Sequence, residues 1–201
     1  GGDVDNVESD RRRRLLDELG ANVTYVPAQH VHLCEEVGSG SSGVVYRALL
    51  RGREQVAVKQ MHAIADRERA ALVHKRFVRE CRMMHAVPPH RCVVGVVGVG
   101  VLGNGRMALI SQWCALGAMD RYVRAARGLP HSTLLVVATD AARGLRHLHQ
   151  HGMLHRDFAA RNLLMTDERV VRVADFGHAR ALPGTAAATA LATLGGGGGG
   201  G

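Results

Sequence analysis

Aromatic residues are scarce in this sequence and make up 3% of its 201 positions. The apolar fraction of 46% still allows a packed core, which excludes a wholly disordered chain. That core must rest on aliphatic side chains and methionine rather than on stacked rings. No apolar run reaches the roughly 18 residues of a membrane-spanning helix, and no secretion signal is recognisable. We therefore expect no membrane span in this chain.

Closely spaced cysteine pairs are also missing. The four cysteines form no C-x-x-C pair, so neither a zinc site nor a disulfide framework is indicated. Unpaired cysteines are typical of a reducing compartment. We therefore expect the protein to be cytoplasmic.

Positive charge, in contrast, is abundant, with a formal net charge of +8 and a pI near 10.2. A basic chain suggests a nucleic-acid or anionic-membrane partner. Apart from the run Arg11–Arg14, however, the arginines are scattered, and no aromatic residues interleave with that run as a stacking platform requires. We expect no nucleic-acid partner. A basic nucleic-acid-binding protein is retained as an alternative, which steeply salt-dependent binding would reveal.

Composition and hydrophobic pattern divide the sequence into five parts. The first is a polar leader whose order the pattern leaves open, and the last is an Ala/Thr-rich tail with a glycine run, predicted to be disordered. Between them lie a strand-rich part, a short connector and a helical part. The parts are residues 1–30, 31–111, 112–118, 119–183 and 184–201.

The hydrophobic pattern predicts an α+β fold. Asp66–Met84 has helical periodicity with Asp66 as its cap, and Ser132–Gln150 is predicted to be a long, mainly buried helix capped by Ser132. Gly103-Asn104-Gly105 is a strong hairpin signal. The predicted strands are Val31–Val37, Val44–Leu49, Gln55–Gln60, Val93–Leu102 and Met107–Ser111, with two short ones at Leu163–Met165 and Val170–Val173.

A glycine pattern, Gly38-x-Gly40-x-x-Gly43-x-Val45, lies between the first two predicted strands. Alone it fits a dinucleotide-binding turn, a phosphate-covering flap or a flexible hairpin. A Rossmann turn would need a helix directly after the glycines, and none is predicted there. The strand–loop–strand context therefore favours a flap whose backbone N–H groups approach phosphates.

Lys59 ends the next predicted strand, 16 positions after Gly43, and can reach phosphate oxygens held beneath such a flap. A lysine there needs an anionic partner to hold it. Glu80, on the polar side of the following helix, is the best candidate, and Glu68 is the alternative. If Glu80 instead made a surface ion pair with Arg76, the pair would contribute little.

The most specific string runs from His155 to Asn162, with the sequence HRDFAARN, and Asp175-Phe176-Gly177 follows 13 residues after Asn162. Together with the glycine flap, the strand lysine and the helix glutamate, these motifs appear in the order found in protein kinases. The segment from Val31 to Pro183 thus resembles a kinase catalytic domain of the tyrosine-kinase or tyrosine-kinase-like branch. The resemblance implies a five-stranded antiparallel N-lobe sheet with one helix, followed by a partial helical C-lobe.

The resemblance also implies ATP, Mg²⁺ and a protein substrate, and it assigns roles to individual residues. Lys59, paired with Glu80, would hold the α- and β-phosphates, and Asp157 would accept the proton of the incoming hydroxyl, with Arg161 beside it. Asn162 and Asp175 would bind Mg²⁺. The implied nucleotide-binding residues are Val37, Gly38, Gly40, Gly43, Val45, Ala57, Lys59, Ser111, Gln112, Trp113, Cys114 and Leu164.

Within that set, Val37, Val45, Ala57 and Leu164 would enclose adenine. Ser111 would guard the rear of its pocket, where a small side chain predicts an open space. Gln112, Trp113 and Cys114 would be the hinge that hydrogen-bonds the base. Met84, Val96, His155 and Phe176 match the family's stacked apolar column between the lobes.

Two questions stay open at the level of sequence. Ala159 and Arg161 match the Ala-Ala-Arg-Asn form shared by tyrosine kinases and tyrosine-kinase-like enzymes, so Ser/Thr and Tyr acceptors are both compatible; we favour Ser/Thr. No Ala-Pro-Glu motif or later helices follow Gly177, which suggests a truncated fragment that binds nucleotide weakly and transfers phosphate poorly. The alternative is a catalytically impaired nucleotide-binding pseudokinase or interaction module.

Overall fold

The computed structural model describes residues 2–20, 23–40 and 43–193. The first lobe contains α1 (Gly2–Leu19), β1 (Val31–Ser39), β2 (Gly43–Leu50), β3 (Glu54–Met61), α2 (Arg67–His85), β4 (Val96–Val101) and β5 (Met107–Gln112). The second contains β6 (Gly117–Ala118), α3 (Met119–Ala125), α4 (His131–Gln150), β7 (Met153–Leu154), β8 (Leu163–Met165), β9 (Val171–Val173), β10 (Arg180–Ala181) and α5 (Ala186–Thr193).

The five strands of the first lobe form one antiparallel sheet in the order β1-β2-β3-β5-β4. This confirms the predicted α+β fold. The fourth strand begins at Val96 rather than at Val93, because Val93 and Val94 pair instead with Val173 of the second lobe. The Val94 N–H donates to the Val173 carbonyl at 2.9 Å, so this stretch connects the two lobes.

Helix α2 follows its sequence pattern closely. The Asp66 side chain caps the helix by accepting a hydrogen bond from the Arg69 N–H at 2.7 Å. Val73, Phe77 and Cys81 are buried on one face, as the helical spacing requires. Glu80 is buried as well, although it belongs to the face that the sequence marks as polar. The helix therefore presents a carboxylate toward the interior of the first lobe.

Helix α4 departs from its prediction in two ways. It begins at His131 after Pro130, and Ser132 does not cap it. Its buried face contains Asp140, Ala141, Gly144 and Leu148, whereas Leu134 and Leu135 are exposed. The predicted mainly buried helix is therefore wrong, because the buried residues of α4 all lie between positions 140 and 148.

The structure describes part of the leader, whose order the sequence left open, and it contradicts the prediction for part of the tail. Helix α1 buries Leu15 and Leu19, so the leader packs against the first lobe. Ala186–Thr193 forms α5, which corrects the disorder predicted for this part of the tail. The predicted disorder of the glycine run concerns residues 194–201, outside the described residues. Among the described helices, none combines the length and apolarity that crossing a bilayer demands.

Candidate active site

A cleft of about 910 Å³ lies between the lobes, and the sequence-derived site residues converge on it. Except for Asp157, every residue assigned above to nucleotide, metal or catalysis lines this cleft. Asp157 lies beside its wall and contacts two lining residues, Arg161 and Asn162. Those lining it are Val37, Gly38, Gly40, Gly43, Val45, Ala57, Lys59, Glu80, Ser111, Gln112, Trp113, Cys114, Arg161, Asn162, Leu164 and Asp175.

The glycine loop forms the roof of the cleft as the turn between β1 and β2. Its ends are joined by a hydrogen bond from the Gly40 N–H to the Gly43 carbonyl at 2.9 Å. The His62 Nε2 lies 2.8 Å from the Gly40 carbonyl and connects the turn to the end of β3. A Cβ at Gly38 or Gly40 would meet no atom within 4 Å, so space for phosphates exists below these two positions. The intervening residues 41 and 42 lie outside the described residues.

Gly43 differs from the other two loop glycines, which leads to a testable contrast. A Cβ on Gly43 would lie 2.2 Å from the Gln60 carbonyl oxygen, so β2 and β3 would have to separate. We expect Gly43→Ala to cost about 1–3 kcal/mol of stability. Gly38→Ala should leave stability within about 0.5 kcal/mol and weaken ATP binding. Thermal unfolding with and without ATP and Mg²⁺ measures both effects; equal stability losses would contradict this assignment.

The side of the cleft where the resemblance places adenine includes residues of β3, β5 and β8. Ala57 pairs with Ser111 across β3 and β5, which places two small side chains side by side. The Gln112 N–H donates to the Gly95 carbonyl at 3.0 Å, so this N–H is already committed within the protein. Burial raises the pKa of the Cys114 thiol to about 11, which keeps it protonated and apolar at neutral pH.

Lys59 and Glu80 form the predicted ion pair at the back of the cleft. The Lys59 Nζ lies 2.7 Å from both carboxylate oxygens of Glu80, and 4.0 Å from Oδ1 of Asp175. Glu68 has no part in the pair. Glu80 is only 4% exposed, and this burial raises its pKa, while the nearby Lys59 charge opposes the increase. The ammonium group is thus fixed between a buried carboxylate and the carboxylate that faces the cleft.

The loop from His155 to Asn162 is held by hydrogen bonds that begin at the buried His155. Its Nε2 lies 2.9 Å from the Ala174 carbonyl, and its Nδ1 accepts from the Asp157 N–H at 3.3 Å. This pattern places the imidazole proton on Nε2. The Asn162 amide nitrogen donates to the Asp157 carbonyl at 2.8 Å and to its carboxylate at 2.9 Å. Asp157 is therefore fixed through its backbone and its side chain.

The charge of Asp157 is stabilised in place. Desolvation raises the pKa of its carboxyl, but hydrogen bonds from Arg161 and Asn162, with the charges of Arg161 and His178, outweigh this and lower the pKa below its ordinary value. The side chain is 28% exposed, so solvent screens part of this effect. Asp157 is therefore a carboxylate throughout the neutral range and can accept a hydrogen bond or a proton.

Arg161→Met tests this environment. Removing the guanidinium should raise the pKa of Asp157, so that the carboxylate is lost at a higher pH than in the unmodified protein. We expect the acid limb of the kcat/KM profile for phosphate transfer to move to higher pH. Arg146→Met on the exposed face of α4 is the matched control and should leave the profile in place. An unmoved acid limb in Arg161→Met would contradict the role of Arg161.

Asp175 and Phe176 turn in opposite directions after β9. Asp175 has a φ of 62°, and its Oδ1 accepts from the Gly177 N–H at 3.2 Å. Phe176 is buried, with its ring centroid 5.7 Å from that of His155. Met84 belongs to the same core and Val96 packs against it. The four residues expected to form an apolar column therefore share one core, and the strained turn directs Asp175 into the cleft.

The oxygen donors on the cleft floor fit Mg²⁺. Asn162 commits its amide nitrogen to Asp157, which leaves its amide oxygen as an acceptor, and Asp175 contributes a half-exposed carboxylate. Amide and carboxylate oxygens are the ligands this ion prefers. Among the described residues, no group of three or more His, Cys, Asp or Glu side chains is arranged to hold a metal ion. An ion here would take further ligands from phosphates and water.

Sequence reasoning missed several arginines in the cleft. Arg121 of α3 donates to the Val37 carbonyl at 3.2 Å and thereby connects the lower lobe to the roof. Arg79 donates to the Ala179 carbonyl, and the nearby charges of Arg156 and Arg180 add to desolvation in lowering its pKa. Arg156 belongs to the HRDFAARN string, but no spacing motif marks Arg79, Arg121 or Arg180, because these come from three separate elements. Only the tertiary structure reveals this positive lining.

Comparisons with known proteins agree with this geometry. The family model for protein tyrosine and serine/threonine kinases matches residues 31–193. The serine/threonine-protein kinase PknK of Mycobacterium tuberculosis is 33% identical over 89% of this chain and 16% of its own length. A probable LRR receptor-like serine/threonine-protein kinase of Arabidopsis thaliana is 35% identical over 73% of the chain and 17% of its length. The chain thus spans about one sixth of each relative.

Proposed function

Because the chain belongs to the protein tyrosine and serine/threonine kinase family, we propose that its cleft transfers the γ-phosphate of ATP to a protein hydroxyl. One observation carries the proposal: Lys59, paired with buried Glu80, lies 4.0 Å from Asp175 in the cleft where Asn162 and Asp157 meet. Phosphoryl transfer requires positioning and charge neutralisation more than covalent catalysis. These residues supply both.

Each residue has one task in the proposed reaction. The glycine roof and Lys59 hold the phosphates, and the adenine lies between Val45, Ala57 and Leu164 against the backbone of Trp113 and Cys114. Asp157 orients the acceptor hydroxyl and takes its proton as the oxygen bonds to the γ-phosphorus. The bond between that phosphorus and the bridging oxygen breaks, which leaves ADP and the phosphorylated protein.

Asn162 and Asp175 are the residues that would hold Mg²⁺. When bound, the ion neutralises phosphate charge that builds up during transfer. Within the chain, the hydrogen bonds from the Asn162 amide nitrogen to Asp157 leave the amide oxygen as the acceptor that an ion can use. The same side chain therefore couples the metal position to the orientation of the base.

For the acceptor we propose serine or threonine. Support comes from the names of the relatives above and of a further one, the serine/threonine-protein kinase STY46 of Arabidopsis thaliana, which is 32% identical over 85% of this chain. Arg161 stands at a position compatible with either acceptor class. Phosphoamino-acid analysis of a labelled generic protein substrate tests the choice, and phosphotyrosine alone would overturn it. The four free cysteines support a reducing, cytoplasmic compartment for the enzyme.

Nucleotide binding can be tested separately from transfer, because the sequence contains only two lysines, Lys59 and Lys75. An acyl-phosphate derivative of ATP should acylate Lys59 in the cleft, and excess ATP with Mg²⁺ should block that reaction. Lys75 is exposed on α2, and its slow labelling should be insensitive to ATP. Protection of Lys59 without transfer of radiolabelled phosphate would favour a nucleotide-binding module. Absence of protection would overturn the proposal.

A further inference from the structure

A segment outside the matched family region packs against α2, the helix that carries Glu80. The family match begins at residue 31, whereas residues 9–20 and 23–26 contact both α2 and the edge strand β4. We name these residues the N-terminal brace. None of the roles described so far involves it.

The contacts of the N-terminal brace with α2 lie on either side of Glu80 in the sequence. The Glu18 carboxylate is 2.6 Å from Nε2 of His74, six residues before Glu80. The Glu18 carbonyl accepts from Nε of Arg82, two residues after Glu80, at 2.8 Å. Leu15 and Leu19 are almost wholly buried and belong to the same core as the apolar face of α2. Polar and apolar contacts thus hold the helix on the side away from the cleft.

The other end of the N-terminal brace is hydrogen-bonded to β4. The Val99 N–H donates to the Thr24 carbonyl at 2.9 Å, and the Val26 N–H donates to the Val99 carbonyl at 2.8 Å. β4 carries glycines where the brace crosses it: a Cβ on Gly98 would lie 2.6 Å from the Thr24 oxygen, and one on Gly100 would lie 2.5 Å from the Val26 oxygen. The strand is therefore shaped to admit this backbone.

We propose that the N-terminal brace is a positioning element for phosphate transfer, which holds Glu80 within reach of Lys59 by fastening α2 to β4. This inference rests on the proposed function. The Lys59–Glu80 pair requires α2 to stay close to β3, and the buried glutamate cannot follow an outward shift of the helix without exchanging its partner for water. The brace opposes that shift through its contacts on the side of α2 that faces away from the cleft. Its loss should therefore lower the rate of transfer more than it lowers ATP affinity.

Gly98→Ala tests the proposal, with Gly103→Ala as its matched control. The new methyl group at position 98 displaces the Thr24 carbonyl, whereas a Cβ at Gly103 meets no atom within 4 Å. For Gly98→Ala we expect faster amide hydrogen exchange at Val99 and throughout α2. We also expect a kcat about 10-fold lower, with a KM for ATP within about twofold. Gly103→Ala should change none of these. Faster exchange at Val99 with unchanged exchange in α2 would overturn the proposal.

A second pair of variants decides the matter if Gly98→Ala fails to fold. Glu18→Ala removes the hydrogen bond to His74, and Glu18→Gln keeps an acceptor of the same size. We expect Glu18→Ala to speed amide hydrogen exchange in α2 and to lower kcat. In Glu18→Gln, the exchange rate and kcat should both lie close to those of the unmodified protein. Equal behaviour of the two variants would overturn the proposal. If the unmodified chain transfers no phosphate, the proposed function fails. The rates of amide hydrogen exchange in α2 then decide on their own whether the brace holds this helix.

Discussion

Asp157→Asn should lower the rate of phosphate transfer by about 10³-fold, since the amide cannot accept the proton of the incoming hydroxyl. The loop itself should survive, because the backbone of residue 157 keeps its hydrogen bonds to His155 and Asn162. ATP affinity should stay within about threefold of the unmodified protein. Single-turnover transfer and ATP titration of the same preparation measure the two quantities.

Asp167→Asn provides the control for this substitution. Asp167 is exposed in the turn between β8 and β9, so its amide variant makes the same chemical change away from the cleft. It should transfer phosphate at the unmodified rate. If Asp157→Asn also retained that rate, Asp157 would not be the base, and the carboxylate of Asp175 would have to be examined instead.

Lys59→Met should have the second largest effect and should act on both catalysis and stability. Transfer should fall by about 10²-fold or more, because the phosphates lose their fixed ammonium group. Glu80 is left buried without its charged partner, and breaking such a pair costs about 3–5 kcal/mol. Since the Lys59 side chain is 21% exposed, we expect a loss near the lower limit of that range. Chemical denaturation measures it, and Lys75→Met, an exposed lysine of α2, should show neither loss.

The stability loss of Lys59→Met should depend on pH in a defined direction. Burial raises the pKa of Glu80 in the folded protein, and removal of the opposing lysine charge raises it further. A raised folded-state pKa means that the native state holds the proton longer than the unfolded state does. The variant should therefore lose stability as the pH rises through that folded-state pKa and regain it toward acidic pH. A loss that stayed constant between pH 5 and pH 8 would contradict the assignment.

Much of the site could be predicted because its residues form short motifs on regular elements. The glycine loop, Lys59, Asp157 and Asp175 each lie beside a strand or turn whose pattern is local, and Asp66 marks the start of α2 correctly. Even the choice of Glu80 over Glu68 follows from helix length, since the later residue lies deeper along α2. Such features depend on neighbours a few residues away, which the sequence displays directly.

The features that the sequence did not predict depend on distant partners. The apolar residues of α4 predicted a mainly buried helix, but Leu134 and Leu135 are exposed because no described element packs beside them. The buried Asp140 of α4 is explained only by the Val171 N–H, which donates to it across 31 positions at 3.2 Å. Likewise, the packing of α1 depends on β4 and α2, and no spacing within residues 1–30 reveals that contact.

The backbone connection behind the cleft determines how the nucleotide site can open. Val94 donates to the Val173 carbonyl, and Val173 donates to the Cys92 carbonyl, each at 2.9 Å. These bonds fix the rear of the two lobes to each other one residue before the turn that carries Asp175. If the lobes rotate to admit a nucleotide, we expect the rotation axis to lie near these bonds. Gly38 in the roof of the cleft would then move further than Lys59 and Asp175, so the contact between these two side chains would persist while the cleft opens.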